Sequence, residues 1–401
     1  MKALNYISNN KTIWYLLMVL ISLIVTFQNL ILGENHYWGG VYTFYNNYII
    51  FKNSFFYLIS EQNPYDYHLD KYADLFKYSP TFALFMGLFY YLPDWLGLSL
   101  WNLLNGLILL FAITTIPGFS NKKMLYLLLF VIIELVLSLQ NCQTNSLLAG
   151  LTILSFTSME KGNTSAAAFY ICCGVFIKVF LIAACLLFLF YPNKLRSVLY
   201  LLIWSTLFLL LPAILIGFDN LFKLYTYWLK TINGDVNDTI ALYKVGESYS
   251  VYRFFDVLAG SKVNKTYVIS VGLLLFLFPL IQFKKYTTFS FRLAFLCLTL
   301  IWIVIFNHKA ESPSYIIAMT GIGLWCLSQE NNRFAIIVLF INLLFTSLFF
   351  TDLVPQFLKN NADKAIIKTF MPSITFLLIV FNLYTNHTSN DTYKEENLKN
   401  E

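Results

Sequence analysis

The chain has 401 residues, 58% hydrophobic and 12% charged, with Lys+Arg 27 against Asp+Glu 21 and a net charge of +6. Soluble domains carry about 45–50% apolar and about 25% charged residues. This chain therefore lacks the charge to cover a soluble surface, which excludes a soluble enzyme, a disordered chain and a disulfide-rich secreted domain. Mean hydropathy is +0.64, and the apolar residues come in runs rather than strict alternation, which disfavours a β-barrel. An all-α polytopic membrane protein remains.

In chain order, the first apolar run is Ile13–Gly33, long enough for one bilayer core. No small-residue cleavage site follows it, so it is predicted to be retained. Lys2 and Lys11 precede it and predict a cytoplasmic N-terminus. Residues 34–80 then form a first external loop that gathers Glu34, Glu61, Asp66, Asp70 and Asp74. Within it, Tyr48–Ser60 is too short to span and predicts an amphipathic helix lying in the membrane interface. Further runs lie near 80–93, 97–117, 124–139, 144–158, 165–191, 197–217, 266–283, 289–306, 313–328, 334–351 and 371–385. They predict a bundle of about 11–13 spanning or half-spanning helices, because short and interrupted helices are tolerated where they line a polar cavity. Lys122/Lys123, Lys194/Arg196 and Lys284/Lys285 are predicted to face the cytoplasm. A second polar connection covers 218–265, and a polar tail, 386–401, is predicted to be disordered. The whole reads as one membrane domain, 1–385, plus that tail.

Ionisable groups inside apolar runs are costly and mark function by default. Glu134 in V-I-I-E-L-V-L and Lys178 in G-V-F-I-K-V-F-L are two; the alternative is that they pair with each other or snorkel to an interface. The amides Gln140, Asn141, Gln143 and Asn145 join two runs and suit a sugar's hydroxyls, or else form a hydrated connection. The stretch from Asn307 to Ser314 places His308, Lys309 and Glu311 at a membrane boundary. If helical, His308 and Glu311 would be i,i+3 neighbours. Ser79 and Pro80 suit a helix start, with Lys77 and Tyr78 beside it for an anionic ligand. The six cysteines lie in or beside apolar runs and read as packing residues, and no Cys/His spacing predicts a metal site. The positive charge follows membrane topology, so no nucleic-acid partner is expected.

Several local motifs follow one another in a familiar order. Asn63-Pro64-Tyr65-Asp66 precedes Phe76-Lys77-Tyr78-Ser79-Pro80-Thr81 and then Leu100-Trp101-Asn102-Leu103-Leu104-Asn105. Gln143-Thr144-Asn145, Gly174-Val175-Phe176-Ile177-Lys178 and the His308–Pro313 stretch complete the succession. Together, over about residues 45–325, they resemble glycosyltransferase family 87, a GT-C-type group that includes polyprenol-phosphate-mannose-dependent mannosyltransferases; the form here looks like a bacterial branch. The resemblance implies a bacterial plasma-membrane enzyme with a polyprenyl-phosphate sugar donor, a lipid or glycan acceptor and no cofactor. An Asp in the external loop would act as base, while cationic and amide groups hold the phosphate.

By the same resemblance the family's catalytic Asp falls on Asn47, and an amide takes no proton at neutral pH. Asp66, Asp70, Asp74 and Glu311 are the substitutes, with Asp74 and Glu311 preferred because each sits beside a cation. Lys77, Lys178, His308 and Lys309 are the expected phosphate ligands. Tyr78, Asn47, Gln140, Asn141, Gln143, Asn145 and Glu134 are the expected sugar or acceptor contacts. A lipid or sugar carrier, or a non-catalytic family member, is the alternative that Asn47 leaves open.

Overall fold

The structure, a computed structural model, describes residues 2–37, 40–234, 248–329, 333–360 and 362–385. The predicted tail 386–401 and residues 235–247 of the second polar connection lie outside the described residues. The protein is an all-α polytopic membrane protein. A short helix, α1 (Lys2–Asn9), precedes α2 (Lys11–Leu32), which at 1.5 Å per residue is about 33 Å long. A two-stranded antiparallel hairpin, β1 (Glu34–Tyr37) and β2 (Gly40–Thr43), pairs Glu34 with Thr43 and leads into α3 (Asn46–Ile59).

The α3 helix forms in this loop as expected, and Tyr48, Ile50, Phe51, Phe55 and Leu58 on it are buried against protein. Lys52 reaches Asp94 at 2.7 Å and the Leu92 carbonyl at 2.9 Å. A run of alternating aromatic contacts explains the packing. Phe51 meets the rings of Tyr78, Phe82 and Trp101 edge-on at 4.8–5.7 Å.

The chain continues through α4 (Pro80–Phe85), α5 (Gly87–Tyr90), α6 (Asp94–Thr114), α7 (Asn121–Gln140), α8 (Asn145–Glu160) and α9 (Thr164–Ile177). Ser79 caps α4 as expected, its hydroxyl accepting from the Phe82 amide at 3.1 Å, with Pro80 at the first position. After α9 the backbone extends at Lys178 (φ −137°, ψ 116°) and resumes as a 3-10 helix, Val179–Phe190. The long run 165–191 is thus two elements broken at its lysine.

Next come α10 (Lys194–Leu210) and α11 (Ala213–Gly234), bent by 91° at the break between them, and Gly217 holds φ 73° inside α11. Then follow α12 (Val251–Ala259), α13 (Lys265–Leu277), α14 (Phe289–Ile305), α15 (Tyr315–Ser328), α16 (Arg333–Asn342), α17 (Gln356–Asn360) and α18 (Lys364–Thr385). A π turn, Leu343–Ser347, and a 3-10 turn, Leu348–Phe350, extend α16. Among the described residues five helices are long and apolar enough to span, or six if the bent pair counts as one span, and five shorter apolar helices accompany them, in keeping with the expected 11–13 spanning or half-spanning helices. The others are short because backbone breaks at Lys178, Gly217 and the Phe306–Glu311 turn interrupt the apolar runs.

The core runs between α14 and α15, α6 and α8, and α8 and α9, with α2 against α6 and α18 against α14. Its two ends differ in chemistry. At one end Glu160 accepts from Arg292 at 2.7 and 2.9 Å, and from the Tyr191 hydroxyl at 2.5 Å. At the other, the ends of α7, α9 and α14 and the start of α8 bring amides, a lysine and a carboxylate together.

Candidate active site

The site begins with chain breaks that place polar side chains at helix ends. Between α7 and α8, Cys142 takes the left-handed conformation (φ 52°), which lets Gln143 and Asn145 turn toward the α9 end. Lys178 Nζ, released from helical geometry, donates to Asn145 Oδ1 at 2.9 Å and to Gln143 Oε1 at 3.3 Å. Gln143 Nε2 in turn donates to Glu311 Oε2 at 2.8 Å. These contacts span 33, 35 and 168 residues of sequence. The Asn145 Nδ2 amide is buried without a hydrogen-bond partner among the described residues.

Glu311 is exposed, and its other oxygen, Oε1, meets no donor among the described residues. It stands within electrostatic reach of Lys178 and Tyr78. The Tyr78 ring faces Lys178 at 5.9 Å. Burial raises the Tyr78 phenol well above its ordinary value, and the Glu311 charge raises it further, so the ring is a neutral wall. Residues 306–311 are a turn rather than a helix, which corrects the expected His308–Glu311 pairing. His308 is exposed, its ring 6.3 Å from that of Tyr252, and Glu311 turns instead to Gln143.

Lys77 and Lys309 stand within electrostatic reach of each other. Partial desolvation, and then the charge of Lys77, lower Lys309 to about 8. Lys77 also lies 3.6 Å from Asp74, and its carbonyl accepts from Trp228 Nε1 of α11 at 3.2 Å. Asp74 holds φ 128°, a strained conformation for a residue with a side chain, and its Oδ1 accepts from the Leu75 amide at 2.7 Å. Asp66 stays exposed in its own turn, accepting from Asn63 at 2.8 Å.

Asn47, at the start of α3, donates to the Asn141 carbonyl at 2.8 Å and so touches the backbone of the amide segment. Asn141 caps its own helix, donating to the Leu137 carbonyl at 2.9 Å. Gln140 faces away, toward α2, where it donates to Gln28 at 3.0 Å. Glu134 does not pair with Lys178. It is fully buried against Lys368 of α18, at 2.8 Å. Sequence reasoning missed Lys368, which stands just before the apolar run that begins at residue 371.

Beside the turn, an apolar groove of about 430 Å³ opens between α12, α13, the end of α14 and α18. Phe254, Tyr267, Val268, Phe306 and Phe370 line it. Phe306 closes one wall because Gly272 of α13 lets the ring approach: a Cβ there would sit 2.3 Å from it.

The sequence profile of Glycosyltransferase family 87 matches residues 76–305, more than half of the chain. The chain belongs to glycosyltransferase family 87. The match covers α4 through α14 and so includes Lys77, Tyr78, Gln143, Asn145 and Lys178, while Asn47 and Glu311 stand outside it. This family 87 protein is a membrane glycosyltransferase. A comparison with curated proteins finds no match.

Proposed function

We propose that the protein moves a sugar, mannose-like, from a polyprenyl-phosphate donor to a lipid or glycan acceptor on the extracytoplasmic side of a bacterial inner membrane. The observation that carries this reading is a juxtaposition on one turn. Phe306 walls an apolar groove able to take a hydrocarbon chain, and Glu311, five residues on, joins the lysine–amide cluster. Two lysines within electrostatic reach of each other, Lys77 and Lys309, suit a phosphate between the two regions.

In this reading Glu311 takes the proton of the acceptor hydroxyl. The acceptor oxygen bonds the anomeric carbon from the face opposite the phosphate, and the carbon–phosphate-oxygen bond breaks. Polyprenyl phosphate leaves with that electron pair, and Lys178, Lys77 and Lys309 stabilise its growing charge. Gln143 and Asn145 orient sugar hydroxyls through the hydrogen bonds left to them. Glu311 is favoured over Asp74 because Asp74 is already bound to its own backbone and to Lys77. It is favoured over Asn47 because an amide has no basic site at neutral pH.

The helix ends support this sidedness. Lys122/Lys123, Lys194/Arg196 and Lys284/Lys285 stand before elements that run between the Arg292–Glu160 end and the cluster. The positive-inside rule puts those cations, and the N-terminus with them, in the cytoplasm, and the cluster on the opposite side. Proteoliposomes given a sugar-labelled polyprenyl-phosphate donor and membrane lipids test the reading. Label must pass to an acceptor with release of polyprenyl phosphate. Label that crosses the bilayer still attached to its carrier would establish transport instead.

A further inference from the structure

Behind the 306–311 turn lies a second polar cluster that the transfer step does not use. Glu134 of α7 and Lys368 of α18 are fully buried and paired at two points, Nζ 2.8 Å from Oε1 and 3.1 Å from Oε2. The same ammonium faces the Phe350 ring at 4.6 Å and the Tyr315 ring at 5.4 Å. Tyr315, four residues after Glu311 and fully buried, donates its hydroxyl to the Tyr249 carbonyl at 2.9 Å and sits 2.8 Å from the Thr369 hydroxyl of α18.

From Tyr249 the contacts lead directly to the turn. The Tyr249 amide donates to the Ala310 carbonyl at 2.9 Å, and the Ser248 hydroxyl donates to the His308 carbonyl at 2.7 Å. Lys309 is therefore held by its two neighbours' carbonyls. The same segment is tied to α18 a second time, through Arg253 and Asp363 at 3.1 Å. A continuous path thus runs from the Glu134–Lys368 pair, through Tyr315 and Tyr249, to the backbone on either side of Lys309.

A buried ion pair adds little net stability, while removing one partner leaves an uncompensated charge; its best-attested use is to fix register. Here it fixes α18 against α7, and α18 in turn fixes the 248–253 segment. We infer that Glu134, Lys368 and Tyr315 are positioning residues, a brace that holds the turn bearing His308, Lys309 and Glu311 in the geometry the transfer needs. The inference rests on the proposed role of that turn. The brace is built largely from chain beyond residue 305, where the family match ends.

Amide hydrogen exchange of residues 248–250 and 308–311, together with steady-state kinetics per folded molecule, tests it. Tyr315→Phe removes one hydroxyl and leaves the packing. Exchange at the Tyr249 amide and through the turn is expected to accelerate by about fivefold, the order of one lost hydrogen bond, with α7 and α8 unchanged. In the same variant kcat falls and the donor KM rises. Lys368→Met should do both more strongly, and the charge-swapped Glu134→Lys/Lys368→Glu should restore both relative to it. Lower yield and melting temperature with wild-type exchange in the turn and wild-type kcat per folded molecule would overturn the brace. So would a lowered kcat with unchanged exchange. Accelerated exchange in a protein whose wild type transfers no sugar would keep the brace and remove the proposed function, so the two failures are distinct.

Discussion

Replacing Glu311 by Gln isolates the proposed base. The two side chains have the same shape, and Gln keeps an oxygen to accept from Gln143 Nε2, now 2.8 Å from Glu311 Oε2. What disappears is a negative charge near Lys178 and the basic lone pair on Oε1, which meets no donor among the described residues. Because Glu311 is exposed, the fold loses little, and the melting temperature is expected to stay close to wild type. The chemical step loses its proton acceptor. General-base catalysis contributes about 10²–10⁴-fold, equivalent to about 3–5 kcal/mol of barrier at about 1.4 kcal/mol per decade. The assay is polyprenyl phosphate released from a labelled donor, with kcat read at saturating donor and acceptor. The expected result is a kcat lowered by two to four decades with a donor KM little changed. A wild-type kcat in Glu311→Gln would refute the assignment, and a large loss in Asp74→Asn in its place would move the base to Asp74.

Three further predictions probe the neighbouring groups. Lys309 is lowered to about 8, so its positive charge is present at pH 7 and is lost as pH rises through about 8. The donor KM is therefore expected to rise between pH 7 and 9.5, and Lys309→Arg, which keeps its charge, should flatten the profile. Asn47→Asp would set a carboxylate against the Asn141 carbonyl, where the amide now donates at 2.8 Å. A thermal melt should show a destabilisation of about 1–3 kcal/mol, without a gain in rate if Glu311 is the base. Gly272→Val would press on Phe306, whose ring lies 2.3 Å from the new Cβ; displaced into the groove, it should raise the donor KM far more than the acceptor KM in two-substrate kinetics.

The membrane class and most helix positions were legible because hydropathy acts locally. The break at Lys178 could be read because a lone lysine inside an apolar run forces either pairing or an interruption, and here it causes both. The destination of Glu134 could not be read. Its partner, Lys368, is 234 residues away and lies just outside an apolar run, so nothing local links the two. For the same reason Gln143 and Asn145 were legible as candidates, but their division of labour was not. Gln140 belongs to the same amide stretch, yet it turns toward Gln28 because it still follows helical geometry, one residue before the chain leaves α7. The α3 helix was legible in its existence, but its aromatic partners were not. Amphipathic spacing identifies a face that must be covered, and both lipid and aromatic side chains can cover it. The turn at 306–311 defeated the helical reading because Asn307 caps it, its side chain accepting from the Lys309 amide at 3.0 Å.

The most direct measurement counts polyprenyl phosphate released per glycosidic bond formed by the purified protein in vesicles, with a polyprenyl-phosphate sugar and a sugar nucleotide offered in turn. The account predicts one polyprenyl phosphate per bond from the lipid-linked donor and no product from the nucleotide. Product formed from the sugar nucleotide, or from neither donor, would contradict it.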